Sequence, residues 1–157
     1  MPIPPPKIMT LALVFRDEKV LLGWKKTGFG AGRWNGFGGK VEPGELVINA
    51  AKRELEEEAG IRAHSLIPHG IITYITLVPD KAPIEMHLFR TEQFEGEPHE
   101  STEMSPAWFD VSNVPLYQMW HDDQFWFPHV LNGRVIEATF WMDDNDQVKE
   151  HTIHQIV

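Results

Sequence analysis

Hydrophobic residues recur along this chain with two periods, one typical of a helix and one typical of strands. Ile48, Ala51, Leu55 and Ala59 are spaced by three, four and four positions, which predicts one apolar stripe along a helix. A Pro-Gly pair lies in the loop before this segment, and Gly60 follows it, where glycine often ends a helix. The pattern therefore predicts a loop followed by one helix that ends at residue 59.

Most of the remaining apolar stretches are short and β-prone, which predicts strands. Seven strands are predicted, at 8–15, 19–22, 70–78, 84–91, 107–111, 135–142 and 147–156. A second helix is predicted at 121–131, where Pro128 would introduce a kink. The elements favour an α+β fold, a mixed sheet with a helix packed on either side, within one domain that spans residues 1–157.

Two loops and the amino terminus complete this prediction. The segment 27–40 is rich in glycine, so it is either a flexible loop or one whose backbone approaches a ligand closely. Residues 96–103 form a polar loop. The prolines in residues 1–10 favour a short extended lead-in without the apolar core of a signal peptide.

Composition narrows the classes of protein and partner. The 157 residues are 42% hydrophobic, which is enough for one folded domain with a real core. The net charge of −9 argues against a nucleic acid polymer as partner, because phosphates are neutralised by basic residues. There is no cysteine and no apolar run of membrane-spanning length. We expect a monomer in the cytoplasm, or in nuclear or mitochondrial pools if the source is eukaryotic.

Three glutamates share one face of the first predicted helix. Glu54, Glu57 and Glu58 stand at positions i, i+3 and i+4, beside Arg53. An acidic, solvated helix face is the ordinary interpretation of such a run. The alternative is a site for hard divalent cations, which prefer oxygen ligands and offset the repulsion between the carboxylates.

The surrounding residues favour the second interpretation, because the segment 39–61 resembles the Nudix box. That pattern is Gly, five residues, Glu, seven residues, then Arg-Glu-aliphatic-x-Glu-Glu-x-Gly-aliphatic. Its fixed positions are filled by Gly39, Glu45, Arg53, Glu54, Leu55, Glu57, Glu58, Gly60 and Ile61. The resemblance implies a Nudix hydrolase with an α/β/α sandwich fold, which cleaves nucleoside diphosphates linked to another group and uses Mg²⁺, with Mn²⁺ as a substitute.

Segments outside the box resemble the MutT-type branch that hydrolyses oxidised purine nucleoside triphosphates. They are LLGWKK at 21–26, GFGAGRWNGFGGKV at 28–41, MHLF at 86–89, WFD at 108–110 and MWHDDQFWFP at 119–128. The resemblance implies hydrolysis of 8-oxo-dGTP, 2-oxo-dATP and related modified purines to the monophosphate and diphosphate. Two alternatives stay open, namely a Nudix hydrolase of dinucleotide polyphosphates or nucleotide sugars, and a non-catalytic binding protein. The second is disfavoured because such proteins typically lose box glutamates.

The resemblance also implies roles at the phosphate end. The predicted metal ligands are the carbonyl of Gly39 and the side chains of Glu54, Glu57, Glu58 and Glu103. A plain surface position is nearly as good an interpretation of Glu103. Either Glu57 or Glu58 is the predicted general base, and Arg53 would orient Glu45 or Glu57.

At the other end, a purine needs an aromatic platform and polar groups along its edge. Both occur close together in Trp120, Asp122 and Asp123, although a core position for the tryptophan and a helix cap for the aspartates are the structural alternatives. Two adjacent buried carboxyls would share one proton, so that they offer a donor and an acceptor. The other predicted substrate-binding residues are Thr10, Lys25, Phe29, Asn35 and Tyr74.

The chain differs from mammalian members at several of these positions. Tyr74 and Thr76 stand where those members have two phenylalanines on the pocket wall. Ile84 and Trp24 stand in place of methionines, and His121 in place of a proline. These differences concern the preferred base and leave the phosphate chemistry unchanged.

Overall fold

Ten strands and two α-helices make up the part of the chain that the computed structural model describes, residues 4–156. The strands are β1 (Lys7–Arg16), β2 (Lys19–Lys25), β3 (Trp34–Asn35), β4 (Arg62–Ala63), β5 (Ile67–Thr76), β6 (Ile84–Thr91), β7 (Phe94–Glu95), β8 (Met104–Asp110), β9 (Ile136–Met142) and β10 (Val148–Gln155). The helices are α1 (Val47–Ala59) and α2 (Asp123–Leu131), and a 3-10 turn spans Leu116–Gln118. Residues 1–3 of the predicted lead-in lie outside the described residues.

The long elements match their predictions and the short ones were missed. β6 has the predicted bounds, whereas β2 continues three residues beyond its prediction and β5 begins three residues before its own. The helix predicted at 121–131 begins at Asp123, and Pro128 lies inside it. The two-residue strands β3, β4 and β7 were not predicted, because so short an element carries no periodic pattern.

Eight of the strands form one mixed sheet. Its order is β10-β9-β5-β6-β1-β2-β3, and β8 pairs with β2. The pairs β1–β6 and β5–β9 are parallel, and the other pairs are antiparallel. The predicted mixed sheet is therefore confirmed, while β4 and β7 form a separate ribbon.

The sheet separates two hydrophobic cores. Along β1, Leu13 and Phe15 point to one core and Ala12 and Val14 to the other, as the alternation of a strand requires. The first core contains Trp126, Phe127 and Val130 of α2, and the second contains Ala51, Leu55 and Ala59 of α1. One helix therefore covers each face of the sheet, which confirms the predicted α/β/α sandwich.

The end of α1 depends on a glycine. Gly60 has a φ of 72°, and its N–H donates to the carbonyl of Glu56 at 2.9 Å. A Cβ at this position would lie 1.9 Å from the ring of His99, so both the backbone angle and the space require glycine. None of the helices in residues 4–156 has the length and apolar character needed to cross a membrane.

Candidate active site

A single groove joins the glutamates of α1 to the aspartates at the start of α2. A cavity of about 870 Å³ is lined by Glu54, Glu57 and Glu58, and a smaller one of about 200 Å³ reaches Asp122 and Asp123. Ten residues line both cavities, namely Lys7, Met9, Leu11, Phe29, Asn35, Gly36, Lys81, Ile84, Met86 and Trp120. The shared lining makes them two ends of one site.

Arg53 binds Glu45 through a two-point ion pair. Its Nε lies 2.8 Å from Oε2 of Glu45, and its Nη2 lies 3.0 Å from Oε1. Nη2 also donates to the carbonyl of Lys40 at 3.2 Å. These bonds lower the pKa of Glu45 and raise that of Arg53. The contact ties α1 to the loop before it, as expected of an orienting residue, and that role stays a prediction.

Glu54 lies against the backbone of Gly39. A Cβ on Gly39 would lie 2.6 Å from Oε1 of Glu54, so glycine is needed for the carboxylate to come this close. Oε1 also accepts a hydrogen bond from Nη1 of Arg53 at 2.9 Å. Burial raises the pKa of Glu54 in spite of this ion pair. The box glycine and the first glutamate of the acidic run are therefore direct neighbours.

Glu58 is buried and Glu57 is exposed, although they are adjacent on the helix. Oε1 of Glu58 accepts the N–H of Gly38 at 2.9 Å. Burial raises the pKa of Glu58 to about 8. Glu57 makes a long contact with Nη1 of Arg53, at 3.4 Å. Gly38 was not predicted as a site residue, because a backbone N–H leaves no signal in the sequence.

The oxygens at this end suit a hard cation in their chemistry. Three carboxylates and the carbonyl of Gly39 lie at one cavity, and Mg²⁺ prefers such ligands. The carbonyl accepts the N–H of Thr10 at 2.9 Å and, at 3.4 Å, its hydroxyl, and the second bond is long enough to be replaced by a cation. Among residues 4–156, no three His, Asp or Glu side chains already converge on a point where an ion would fit. The bonds of Glu54 and Glu58 to Arg53 and Gly38 engage only Oε1 of each carboxylate.

Lysine side chains and Glu103 border the same cavity. Nζ of Lys25 lies 3.4 Å from Oε2 of Glu103, a weak contact at the surface. Lys40 and Thr10 also line the cavity, and the Thr10 hydroxyl lies 3.4 Å from the carbonyl of Gly39. The structure thus brings Lys25, Glu103 and Thr10 to the phosphate end of the groove, and their predicted roles stay predictions.

Aromatic rings form one wall of the other end. Phe29 lies 5.0 Å from Trp120, centroid to centroid, on a loop where Gly28 and Gly30 have φ angles of 77° and 85°. A Cβ on Gly30 would lie 3.0 Å from the Trp120 ring. The guanidinium of Arg33 lies 4.3 Å from the centroid of the same ring. The glycines of segment 27–40 therefore let the loop approach the Trp120 ring closely, and its approach to a ligand stays a prediction.

Asp122 and Asp123 are both buried and face the smaller cavity. Oδ2 of Asp122 accepts hydrogen bonds from the Tyr74 hydroxyl at 2.6 Å and from Nε1 of Trp126 at 2.9 Å. Oδ2 of Asp123 accepts the N–H of Trp120 at 3.1 Å. The side chain of Asp122, at the cap position of α2, makes no capping bond, so the cap interpretation of this residue is wrong. Burial raises both pKa values, and the charge of Asp122 adds to the rise at Asp123.

Other predicted residues fall into two groups. Asn35, Tyr74, Thr76 and Ile84 line the smaller cavity. Trp24 instead packs edge-on against Trp34, with centroids 5.3 Å apart. Lys7, Lys81 and Trp126 also line the smaller cavity and were not predicted as site residues. The position of Trp126, four residues after Asp122 on a helix, is a signal that could have identified it.

Several known proteins are similar to this chain in sequence and fold. The sequence profile of the NUDIX domain matches residues 5–130. An oxidized purine nucleoside triphosphate hydrolase of Danio rerio is 44% identical over 150 residues, which cover 96% of both chains. The enzyme of the same name from Mus musculus is 40% identical with the same coverage.

A crystal structure of a MutT protein from Bacillus halodurans has a similar fold. It superposes with a TM-score of 0.84 at 27% identity, and covers 94% of this chain and 97% of its own. The box residues, the sandwich and the groove described above agree with these likenesses. The chain belongs to the Nudix hydrolase family.

Proposed function

We propose that this enzyme hydrolyses oxidised or otherwise modified purine nucleoside triphosphates, 8-oxo-dGTP and 2-oxo-dATP among them, to the monophosphate and diphosphate. The observation that carries the proposal is the single groove, which has a carboxylate-rich end and a buried, aromatic end with two hydrogen-bonding carboxyls. One end suits a phosphate chain with its cation, and the other suits a purine. The names of the two similar vertebrate enzymes support the same substrate class.

Each end of the groove has its own task in this mechanism. Glu54, Glu57 and Glu58 would hold Mg²⁺, or Mn²⁺ in its place, with the carbonyl of Gly39 as a further ligand. The cation supplies charge neutralisation at the phosphates and makes a water more acidic. Glu57 or Glu58 takes the proton from the attacking water. Without such a cation, the carboxylates and the triphosphate would repel each other.

The residues around these carboxylates position them. The guanidinium of Arg53 bonds to Glu45 through Nε and to Glu54 through Nη1. These two bonds keep the acidic face of α1 turned toward the loop at Gly39. Lys25 and Lys40 border the phosphate end, where their charges favour an anionic substrate. Phe29 and Trp120 form one aromatic wall of the base end, on which a purine would stack. We also propose that the enzyme acts as a monomer on the cytoplasmic nucleotide pool.

A release assay tests the proposal. Diphosphate and monophosphate would be measured from 8-oxo-dGTP, 2-oxo-dATP, methylated purine triphosphates, dGTP and dATP, with Mg²⁺. We expect kcat/KM for at least one oxidised purine to exceed that of its ordinary counterpart by at least about tenfold, the discrimination that one well-made hydrogen bond supplies. Excess chelator should abolish activity, and Mg²⁺ or Mn²⁺ should restore it.

Two results would count against the proposal. Faster hydrolysis of a dinucleotide polyphosphate or a nucleotide sugar would move the enzyme to another substrate class. Activity that persists in excess chelator would mean that the glutamates of α1 do not form a catalytic metal site.

A further inference from the structure

Tyr74 places a hydrogen-bond donor directly behind the aspartate pair. Its ring packs against Phe140 of β9, with centroids 5.9 Å apart and planes inclined by 24°. Its hydroxyl lies 2.6 Å from Oδ2 of Asp122, the shortest side-chain hydrogen bond among the described residues. The ring comes from β5 and the carboxyl from the start of α2, so the fold fixes both partners.

The same carboxylate oxygen receives a second donor. Nε1 of Trp126 lies 2.9 Å from Oδ2 of Asp122, and an indole N–H can only donate. Oδ2 must therefore accept, and the tyrosine hydroxyl donates to it as well. Two donors on one oxygen stabilise the ionised form of a carboxyl. Asp122 is thus held as the carboxylate of the pair, with Oδ1 left to accept from a ligand.

Asp123 has no equivalent support. Among residues 4–156, the hydrogen bond that its side chain accepts comes from the N–H of Trp120, through Oδ2 at 3.1 Å, while the nearby Trp126 indole directs its N–H to Asp122. It is 6% exposed and lies next to Asp122. Burial and the charge of Asp122 raise the pKa of Asp123 well above its usual value. Because Oδ2 accepts a backbone N–H, the proton belongs on Oδ1, which then donates.

No cation is bonded to either aspartate within residues 4–156. The other charged side chains that line the smaller cavity are Lys7, Lys81 and Asp146. His121 precedes the pair, and its Nδ1 accepts the N–H of Val148 at 2.8 Å. The hydrogen bonds that position the proton of the pair therefore come from neutral donors, chiefly Tyr74 and Trp126.

We infer that Tyr74 is a specificity-determining residue, because its hydroxyl keeps Asp122 as the acceptor and Asp123 as the donor toward the purine edge. Guanine carries an acceptor at position 6, whereas adenine carries a donor there. A fixed order of acceptor and donor therefore suits one of the two oxidised bases. The other base requires the proton to move onto Oδ1 of Asp122. This move weakens the two hydrogen bonds that Oδ2 accepts. The choice of these substrates rests on the proposed function.

Substitution of Tyr74 by phenylalanine tests this inference. Tyr74→Phe keeps the ring and removes only the hydroxyl. The wild-type enzyme should prefer one of 8-oxo-dGTP and 2-oxo-dATP by at least about tenfold in kcat/KM, and the variant should reduce that ratio at least about fivefold, mainly through the disfavoured base, which gains. Tyr117→Phe makes the same chemical change at the other tyrosine, which is 88% exposed, and should leave the ratio unchanged. An equal ratio in wild type and Tyr74→Phe, or no preference in wild type, would overturn the inference.

A second measurement does not depend on hydrolysis. The carboxyl ¹³C signals of the aspartates, assigned with Asp122→Asn and Asp123→Asn, report protonation in the free protein. At neutral pH, wild type should show an ionised Asp122 and a protonated Asp123, and in Tyr74→Phe the two signals should move toward each other. A protonated Asp122 in wild type would overturn the inference. If the signals behave as expected but neither oxidised purine is hydrolysed, the proposed function fails and the positioning role of Tyr74 stands.

Discussion

Acidic side chains occupy both ends of the groove, and their surroundings differ. At the α1 end, Glu45 and Glu54 are bonded to the guanidinium of Arg53, and Glu57 is open to solvent. At the α2 end, Asp122 and Asp123 are buried, and within the described part of the chain their side chains accept hydrogen bonds from the neutral donors Tyr74, Trp126 and Trp120. Glu45 and Glu54 are balanced by the positive charge of Arg53, whereas burial raises the pKa values of both aspartates, as it does that of Glu58.

This difference teaches that the same functional group serves two kinds of chemistry through its surroundings. An ionised carboxylate near an arginine and an open groove is ready to exchange that partner for a metal ion. A carboxyl that keeps its proton can donate a hydrogen bond, which an ionised one cannot. The comparison predicts that substitutions at the α1 end affect turnover, and substitutions at the α2 end affect the choice of base.

Loss of one charge at the α1 end should have the largest effect. Glu57→Gln and Glu58→Gln should each lower kcat by at least about a hundredfold, roughly 2.7 kcal/mol, because a metal ligand or base is lost. Glu56→Gln is a matched control on the same helix, since Glu56 is exposed and pairs only with Arg62 at 3.3 Å. Its kcat should stay within about twofold, the small effect of a surface ion pair. Near-normal turnover in both Glu57→Gln and Glu58→Gln would contradict the proposed metal site.

The two aspartates should respond unequally to the same substitution. In Asp123→Asn the amide N–H takes the place of the donated proton, so the pattern presented to the base is kept. In Asp122→Asn the amide oxygen must accept from Tyr74 and Trp126, which turns N–H toward the base where an acceptor is needed. The second variant should therefore lose roughly 1–3 kcal/mol in kcat/KM on its preferred oxidised purine, and the first clearly less. Equal, small losses in both variants would contradict base recognition by the pair.

The stability of the metal-free protein should fall as the pH rises. Asp123 has a pKa raised above its unfolded value of 3.8, and Glu58 one raised from 4.5 to about 8, so both bind more protons in the folded than in the unfolded state between pH 5 and 7, and together they outweigh His69, whose pKa burial lowers. Each such group lowers the free energy of unfolding by up to about 1.4 kcal/mol per pH unit in that window. Asp123→Asn should flatten this dependence in urea unfolding, because asparagine does not titrate. The control Asp144→Asn, at an exposed position, should leave the pH dependence of the free energy of unfolding as in wild type. If Asp123→Asn shows the wild-type pH dependence, the retained proton is not on Asp123.

The smallest effect is expected at the rim of the base end. Arg33→Met removes a guanidinium that lies 4.3 Å from the centroid of the Trp120 ring. An exposed cation–π contact contributes about 0.5–1 kcal/mol, so KM should rise about two- to fivefold with kcat unchanged. The control is Arg62→Met, which removes an exposed arginine whose partner is Glu56 and not Trp120. If Arg33→Met lowers kcat as strongly as Glu57→Gln does, the α1 end does not govern turnover separately from the α2 end, and the comparison between the two ends is wrong.

Local patterns made most of the fold and one end of the site predictable. The stripe from Ile48 to Ala59 and the glycine after it predict α1, because spacing along a helix is a property of neighbouring residues. The box glutamates lie within that stripe's helix, so their common face followed from the sequence. The bond between Tyr74 and Asp122 could not be predicted, since it joins residues 48 positions apart through the packing of α2 on the sheet. Trp126 received no role from the sequence, and it is both a core residue and a donor to Asp122.

The parallel pairing at the centre of the sheet has a consequence for folding kinetics. Thr10 on β1 pairs with His87 on β6, about 77 positions later, and Thr73 on β5 with Thr139 on β9. Contacts between such distant residues require closure of long loops and slow the folding of a chain. Thr10 also holds the loop at Gly39, so the groove is complete only when β1 has joined the sheet. During refolding, recovery of hydrolysis should therefore trail recovery of the helical circular-dichroism signal.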